Sequence, residues 1–369
     1  MYSESDLESA VTAGAISAEA VEALRAHAAS QRSAPVADEE QFRLITGFND
    51  IFVTIACALV IFASAAVGGE AETWLGAAWV AAACWLMAEM FTRRRRMALP
   101  SIVLLIGFSV ACGLAAANLV WPLFPQHIVA HPFTNEFGKP DTYTSTEYYP
   151  WQHAAIAGIG GLAAAMGALA HWWRFKVAIT IAAGIAALVV LLLSLVAAAT
   201  GQELESNRLI APAAFICGLA VFAYAMKWDL TDPARKTQNA DIAFWLHLLA
   251  APLIAHPLFY WMGVTEGHAI STLTALGVLA IYLVFGVVAL AVDRRALLVS
   301  ALAYVLIALG QLFRSYGAVQ LNVALTALVI GSALLVLSAF WAPIRRAVVA
   351  WLPDRMRAIL PATAAAAAG

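Results

Sequence analysis

Long apolar segments recur along most of the chain, and their lengths predict membrane-spanning helices. About 20 consecutive apolar residues are needed to cross the roughly 30 Å hydrocarbon layer of a bilayer. Ten segments meet this criterion: 49–67, 73–91, 98–120, 153–171, 177–199, 209–227, 241–261, 269–292, 296–314 and 318–341. The pattern therefore predicts an all-α fold, a polytopic bundle of about ten transmembrane helices within residues 48–341.

The N-terminal extension, residues 1–47, shows short amphipathic segments separated by turn residues. Ser5 and Glu8 form a capping box at the start of one predicted helix, Gly14 marks its end, and Ser17 caps a second helix. We expect a helical hairpin followed by a linker. Such a hairpin is too small to hold a core alone, so it should dock on another surface. The extension has no apolar core of the secretory type, so no cleavable signal peptide is predicted.

Basic residues are distributed unevenly between alternate loops. Fifteen lysines and arginines lie in the loops after spans two, four, six and eight and in the C-terminal tail, whereas three lie in the opposite loops. The fifteen are Arg93, Arg94, Arg95, Arg96, Arg174, Lys176, Lys227, Arg235, Lys236, Arg294, Arg295, Arg345, Arg346, Arg355 and Arg357. Because loops rich in lysine and arginine stay in the cytoplasm, we expect both termini to be cytoplasmic.

Two segments interrupt this regular alternation. Residues 121–152 form the one long external loop, which is rich in tryptophan and tyrosine. Residues 342–369 begin with Arg345 and Arg346 among apolar residues, a mixture typical of an amphipathic helix on anionic headgroups. We expect that interfacial helix to be interrupted at Pro353.

The composition agrees with the pattern and narrows the protein class. The chain is 63% hydrophobic and 12% charged, whereas soluble domains are about 45–50% apolar and about 25% charged. This excludes a soluble enzyme, a nucleic-acid-binding protein and a disordered scaffold. The four cysteines lie singly in apolar segments, so we expect free thiols rather than a disulfide or a zinc site.

The seventh span carries the densest set of polar and helix-breaking residues, namely Asp241, His247, Pro252 and His256, followed by Pro257. Each proline removes a helical hydrogen bond and frees a carbonyl four residues earlier. A freed carbonyl beside an imidazole forms a cation or proton site where it faces a cavity. We therefore expect a binding site on this span. The alternative is a kinked packing helix whose histidines donate to neighbouring carbonyls.

Four histidines raise the question of haem ligation. His153 and His171 share a face of the fourth span about 27 Å apart, whereas His247 and His256 are about 13 Å apart and point to opposite faces. Two tiers of bis-histidine ligands would need matching separations. We therefore expect no haem, and no cofactor is predicted.

Other polar residues within the predicted spans are weaker candidates. Glu89 lies one turn before Arg93, which favours a local ion pair. Asn118, Gln311 and Arg314 lie near the external side. We predict that the Arg314 side chain extends to the membrane–water interface. The alternative is that it pairs with an external acid or an anionic ligand.

Two further patterns concern metals and packing. The external-loop residues His127, His131, Glu136, Asp141, Glu266 and His268 have no metal-ligand spacing, so no metal site is predicted. Small residues repeat along the fourth span at Ala154, Gly158, Gly161 and Ala165. Such a face predicts close helix packing, either within the chain or between protomers.

Two segments resemble known membrane proteins. The turn from Ala13 to Glu19, which feeds a many-span apolar body, resembles a domain-of-unknown-function family of bacterial multi-pass predicted membrane proteins. The segment from Asp241 to Pro257 is similar to a stretch of uncharacterised proteobacterial membrane proteins. The resemblance implies a location in the bacterial inner membrane and no particular activity.

Three functional hypotheses follow, in order of preference. The first is a transporter or channel-like protein for a small solute, ion or lipid, with its site on the seventh span. The second is a non-catalytic membrane subunit that docks a partner protein or a second copy through the N-terminal hairpin or the external loop. The third is an intramembrane enzyme or haem protein. No soluble-type nucleotide-binding or hydrolase motif is present, and the expected surroundings are the lipid bilayer rather than a nucleic acid.

Overall fold

The computed structural model describes residues 4–32, 48–69, 72–134, 138–201, 207–232, 235, 237–264, 271–315, 322–357 and 360. The chain divides into two compact units. The first contains residues 1–41 and 360–369, and the second contains residues 42–359.

The first unit contains a pair of short helices, α1 (Glu4–Thr12) and α2 (Ala18–Arg32). Gly14 lies in the turn between them with φ +72°, a conformation that glycine adopts without steric cost. Ser17 Oγ accepts a hydrogen bond of 3.1 Å from the Ala20 amide and so caps the second helix. The cap predicted at Ser17 is therefore confirmed, whereas Ser5, the predicted cap of the first helix, already lies inside α1.

The second unit is a bundle of long apolar helices. Its described helices are α3 (Phe48–Gly69), α4 (Thr73–Ala88), α5 (Ala98–Val120), α6 (Pro150–Phe175), α7 (Ile179–Thr200), α8 (Asn207–Thr231), α9 (Gln238–Trp261), α10 (Thr272–Val292), α11 (Ala296–Ser315), α12 (Asn322–Ala339), α13 (Trp341–Trp351) and α14 (Asp354–Arg357). A π-helical turn at Glu89–Arg94 extends α4. Within the described residues, eight helices, α3 to α10, are long and apolar enough to cross a membrane. The chain is thus a multi-pass helical membrane protein, while the count of ten spans stays a prediction.

The last helices differ from the simple pattern of straight spans. Part of α12, Leu328–Ala339, passes the same length and hydropathy test only together with α13, and the two are bent by 78°. The chain leaves helical geometry again at Leu352, next to Pro353, where the sequence predicts a break. Arg345 is buried within the bundle rather than exposed to headgroups, so the expectation of a wholly interfacial tail is wrong at this residue.

The segment between α5 and α6 contains a β-hairpin that sequence analysis treated as a loop. Strands β1 (His127–Thr134) and β2 (Pro140–Glu147) pair in antiparallel register, with His127 opposite Glu147 and Thr134 opposite Pro140. The alternation Thr142, Thr144, Thr146 places β-branched side chains on one face, as strands prefer. In the chain, this two-stranded sheet connects α5 to α6.

Small residues allow the central helices to approach closely. A Cβ on Gly161 of α6 would lie 2.9 Å from the Ala187 carbonyl oxygen of α7. On another side of α6, a Cβ on Gly160 would lie 3.1 Å from the Gly113 carbonyl oxygen of α5. The predicted small-residue face is therefore used for packing within the chain.

Ion pairs between helix ends and connections lie at the end of the bundle where many basic residues are found. Arg174 at the end of α6 pairs with Glu89 at the end of α4, with Nε 2.7 Å from Oε1. Arg235, between α8 and α9, pairs with Asp293 after α10 at 2.9 Å. We call this end, which carries Arg93–Arg96, Arg174, Arg235 and Arg294, the basic end.

Candidate functional site

Helix α9 positions most of the candidate site, and it is the most enclosed of the eight spans. Half of its apolar window is buried, against 39% or less in each of the other seven. Its N-terminus is fixed by Thr237, whose backbone amide and hydroxyl both donate to Asp232 Oδ2 at 2.7 Å. Pro252 and Pro257 lie inside the helix without ending it. The helix therefore holds its polar residues in a defined register.

Three side chains form a buried charge cluster at the basic end: Asp229, His247 and Arg294. His247 Nε2 lies 2.9 Å from Asp229 Oδ2. Arg294 Nη2 donates to Asp229 Oδ1 and, at 3.1 Å, to the Ala240 carbonyl oxygen. None of the three residues is more than 4% exposed. Ends of α8 and α10 and the first half of α9 thus meet at one desolvated set of charges.

The imidazole of His247 has one satisfied and one unsatisfied nitrogen. Nε2 faces Asp229, whereas Nδ1 is buried and has no hydrogen-bond partner among the described residues. The edge of the Phe222 ring approaches at a centroid distance of 5.2 Å. A buried polar atom without a partner is rare in folded proteins and points to strain, a bound water or a proton-transfer role.

Asp293 forms a second set of contacts directly beside Arg294 in the chain. Its carboxylate accepts from Arg235 at 2.9 Å and from Trp341 Nε1 at 2.8 Å, and lies 3.4 Å from Arg345 Nε. Asp293 has φ 59° at the end of α10, a conformation that Asp tolerates better than most residues. It therefore joins α13 and the α8–α9 connection to the end of α10.

A cleft of about 230 Å³ opens at the basic end among the ends of α4, α5, α7 and α9. Its lining includes charged and hydroxyl groups together with apolar side chains: Thr92, Arg96, Ile102, Ile179, Asp241 and Trp245. Asp241 follows Ala240, whose carbonyl accepts from Arg294. The cleft and the buried charge cluster therefore adjoin each other through the start of α9.

The structure separates the four site residues that the sequence predicts on this span. Asp241 lines the cleft, and His247 belongs to the buried charge cluster. Pro252 and His256 are exposed on the bundle surface, and His256 Nδ1 lies 2.8 Å from the Tyr304 hydroxyl. Asp241 and His247 therefore lie in the first half of α9, whereas the Pro252 and His256 side chains lie on its outer face.

The histidines of the haem hypothesis have different neighbours. His153 is exposed and packs edge-on against Trp121 at 5.6 Å. His171 is fully buried beside Trp85 and Phe175, and its Nδ1 lies 3.4 Å from Thr180 Oγ1. In the described contacts, none of His153, His171, His247 and His256 faces another imidazole.

The remaining candidates are scattered. Glu89 pairs with Arg93 at 3.3 Å, as predicted, and also with Arg174. Asn118 is partly buried near the end of α5. The side chains of Gln311 and Arg314 lie outside the described residues, as do Glu136, Glu266 and His268.

The β-hairpin places His131, one of the external residues considered for metal binding, beside Ser145 and Glu147. His131 Nε2 lies 2.8 Å from Glu147 Oε1 and 2.7 Å from Ser145 Oγ. The hydrogen bond from Ser145 makes the largest contribution, followed by the one from His131, and both lower the pKa of Glu147 below its ordinary value. In the part of the chain that the structure describes, no group of three histidine, cysteine or acidic residues has metal-binding geometry.

Sequence reasoning missed Asp229, Arg294 and Arg96. The predicted sixth span ends at residue 227, so Asp229 seemed to be a loop residue, and the arginines served only to indicate orientation. Distance from the turn does not indicate their pairing. Asp229 lies two residues before the end of α8, His247 lies nine residues after the start of α9, and Arg294 follows α10.

Comparison with protein-family models, curated proteins and solved structures found no match for this chain.

Proposed function

We propose that this protein is a membrane transport protein that carries protons, with His247 as the proton-carrying group. One observation carries the proposal: an imidazole with an unpartnered nitrogen lies inside the bundle beside Asp229 and Arg294. Ionisable residues are costly within a membrane protein and mark ion and proton pathways. We further propose a bacterial inner membrane location with both termini in the cytoplasm, on the basis of the loop charges and the sequence resemblance.

The charges of the cluster explain how a proton would act there. Asp229 and Arg294 cancel each other while His247 is neutral, with Nε2 donating to the carboxylate and Nδ1 free to accept a proton. A proton on Nδ1 would add one uncompensated positive charge to a desolvated site. Since an unbalanced buried charge is strongly unfavourable, the protonated cluster favours another arrangement of α8, α9 and α10. Two protonation states thus correspond to two packings.

The proposed proton route to the cluster starts at the basic end. Asp241 lines the open cleft, and His247 lies six residues further along the same helix, about 9 Å along its axis. Arg294 contacts the backbone of Ala240, the residue directly before Asp241. Protons arriving at the Asp241 carboxylate would therefore have a short distance to travel.

Proton movement in reconstituted vesicles tests the proposal. Protein is incorporated into liposomes that contain the dye pyranine, and a potassium gradient with valinomycin sets the interior negative. We expect faster internal acidification than in protein-free liposomes, and we expect His247→Gln to remove most of that difference. His153→Gln, which alters an exposed histidine away from the cluster, is the matched control and should retain the wild-type rate.

Unchanged acidification by a well-folded His247→Gln protein would overturn the proposal. Size-exclusion chromatography and circular dichroism establish folding. Should His247→Gln fail to fold, Asp229→Glu keeps the charge and moves the carboxylate by one methylene. That variant should lower the acidification rate. A wild-type rate would contradict a role for the buried charge cluster in proton transfer.

A second candidate, a membrane subunit that docks a partner, is favoured by the surface of the β-hairpin. Ile128 is 76% exposed and Tyr143 is 54% exposed at the same two-stranded sheet. Exposed apolar and aromatic side chains in such a place are typical of interaction sites. Photocrosslinking from position 128 in native membranes should trap a second polypeptide, and a bare monomer would argue against docking there.

A further inference from the structure

The cleft at the basic end presents charges of both signs beside an apolar wall. We propose that it binds a small zwitterion, with a carboxylate held by Arg96, an ammonium held by Asp241 and an apolar side chain between them. This inference deepens the proposed function, on which it rests, by naming the class of solute that would move with the proton.

The two charged residues are available for a ligand. Among the described residues, neither Arg96 nor Asp241 makes a hydrogen bond or an ion pair, although both line the cleft. Arg294 and Asp232 act on the Asp241 carboxylate only through longer-range electrostatics of opposite sign. A guanidinium matches a carboxylate with two parallel hydrogen bonds, and a carboxylate forms charge-assisted bonds with an ammonium.

A buried hydroxyl supplies an independent indication of a ligand. Thr92 is 8% exposed, its Oγ1 has no hydrogen-bond partner among the described side chains and backbone, and it lines the same cleft. It belongs to the π-helical turn at Glu89–Arg94, and such turns occur frequently at functional sites. Rotation of the Thr92 side chain toward the cleft would let a ligand oxygen or ammonium satisfy this orphaned hydroxyl.

The apolar wall and the volume limit the size of the ligand. Ile102, Ile179 and Trp245 line the cleft beside the polar groups. Its volume of about 230 Å³ is below the range of about 300–1,000 Å³ typical of sites for drug-sized molecules. A ligand of the size of one amino acid fits this description, whereas a diacyl lipid does not.

Other ligand classes satisfy the site less well. A simple organic cation would pair with Asp241 and be repelled by Arg96. A simple anion would pair with Arg96 and be repelled by Asp241. An inorganic ion would leave the apolar wall uncovered. A zwitterion with an aliphatic side chain satisfies both charges, the hydroxyl and the wall at the same time.

Isothermal titration calorimetry on purified full-length protein in detergent, with three related probes, separates the contribution of the ligand carboxylate from that of the ammonium. L-Leucine carries both charges, L-leucinamide lacks the carboxylate, and 4-methylpentanoate lacks the ammonium. We expect leucine to bind and the other two to bind at least about tenfold more weakly, as for the loss of a charge-assisted bond. Absence of saturable leucine binding, or equal binding of all three, would overturn the inference.

Variants then assign each charge to its residue. Arg96→Gln should reduce leucine binding to the level of leucinamide, and Asp241→Asn should reduce it to the level of 4-methylpentanoate. Arg95→Gln is the matched control, because Arg95 is exposed next to Arg96 and does not line the cleft. Equal leucine affinity in wild type and Arg96→Gln would contradict the assignment.

The outcomes distinguish this inference from the proposed function. Leucine binding in a protein that moves no protons would overturn proton transport and leave the zwitterion site standing. Proton movement that depends on His247, with no leucine binding, would overturn the zwitterion site alone.

Discussion

At the residue scale, the buried charge cluster makes a prediction about stability. Arg294→Gln removes the cation that compensates the buried Asp229 carboxylate. Breaking one partner of a buried ion pair costs about 3–5 kcal/mol, because the remaining charge stays desolvated. We expect a large fall in the melting temperature of detergent-purified protein, measured by differential scanning fluorimetry.

The neighbouring arginine supplies the comparison. Arg295 is exposed and stacks over Trp341 at 4.9 Å, and such exposed contacts contribute about 0.5–1 kcal/mol. Arg295→Gln should therefore lower the melting temperature only slightly. Equal effects of the two substitutions would mean that the Asp229–Arg294 pair is accessible to water in solution.

The cluster also shows where residue-level prediction from sequence ends. His247 is identifiable because a histidine in an apolar run is conspicuous, whereas Asp229 and Arg294 lie at span ends, where charged residues are expected. Their partnership depends on how three helix ends meet, and this is a property of tertiary packing. Pro252 and His256 were conspicuous for the same reason as His247, yet the rotation of α9 turns them outward.

Ionisation of Glu147 makes the stability of the β-hairpin depend on pH. Its pKa is lowered in the folded hairpin by hydrogen bonds from Ser145 and His131, so these contacts stabilise the hairpin above the ordinary pKa of Glu, about 4.3. That contribution is lost as the pH falls through the lowered value. A spin label at Thr144→Cys, in a background without native cysteines, should gain mobility as the pH falls below the ordinary pKa of Glu.

Glu147→Gln is the appropriate control for this titration. The amide cannot ionise, so the mobility of the label should lack the step in the same pH range. A step of the same size in Glu147→Gln would assign the transition to another group.

At the element scale, close packing of α6 against α7 is open to a simple steric test. A Cβ on Gly161 would lie 2.9 Å from the Ala187 carbonyl oxygen and 3.0 Å from the Leu191 nitrogen, both backbone atoms. Because backbone cannot move aside like a flexible side chain, Gly161→Ala should destabilise the bundle by about 1–3 kcal/mol. Thermal unfolding in detergent measures the change.

Gly310 provides the matched substitution on another helix. A Cβ there would meet no atom within 4 Å, and alanine favours a helix over glycine by up to about 1 kcal/mol. Gly310→Ala should leave the melting temperature unchanged or raise it. A loss of stability at both glycines would show that general helix effects, and not the contact with α7, cause the change.

Elements differ in how far the sequence predicts them. The helices follow from long apolar runs and caps, which are local properties. The β-hairpin was missed because both strands contain proline and alternate apolar with polar residues only weakly. The pairing of His127 with Glu147 depends on residues twenty positions apart, and no local pattern contains that information.

At the scale of the whole molecule, contacts between helix ends bear on the number of membrane passes. Trp341, which begins α13, donates to Asp293 at the end of α10. The end of α12 and the end of α10 therefore lie at the same end of the bundle. Helices α11 and α12 would then form an out-and-back pair, which favours an even number of passes and the same side for both termini.

Cysteine labelling in intact cells tests the orientation of the protein and whether the number of membrane passes is even. Single cysteines are placed at Ala13, Thr144 and Asp354, in a background without native cysteines, and are treated with a membrane-impermeant maleimide. All three positions are exposed within the described residues. If the basic end is cytoplasmic, Thr144→Cys should be labelled from outside, and the other two should react only after permeabilisation.

Each departure from this pattern has a specific meaning. Labelling of Ala13→Cys and Asp354→Cys from outside, with Thr144→Cys protected, would invert the orientation and contradict the charge bias of the loops. Labelling of Asp354→Cys together with Thr144→Cys would place the two termini on opposite sides. The bent pair α12–α13 would then cross only part of the bilayer or cross it differently, and the contact of Trp341 with Asp293 would not reflect an out-and-back pair of helices. Protection of both ends with an accessible hairpin is the result that places the cleft, and with it Arg96 and Asp241, on the cytoplasmic side.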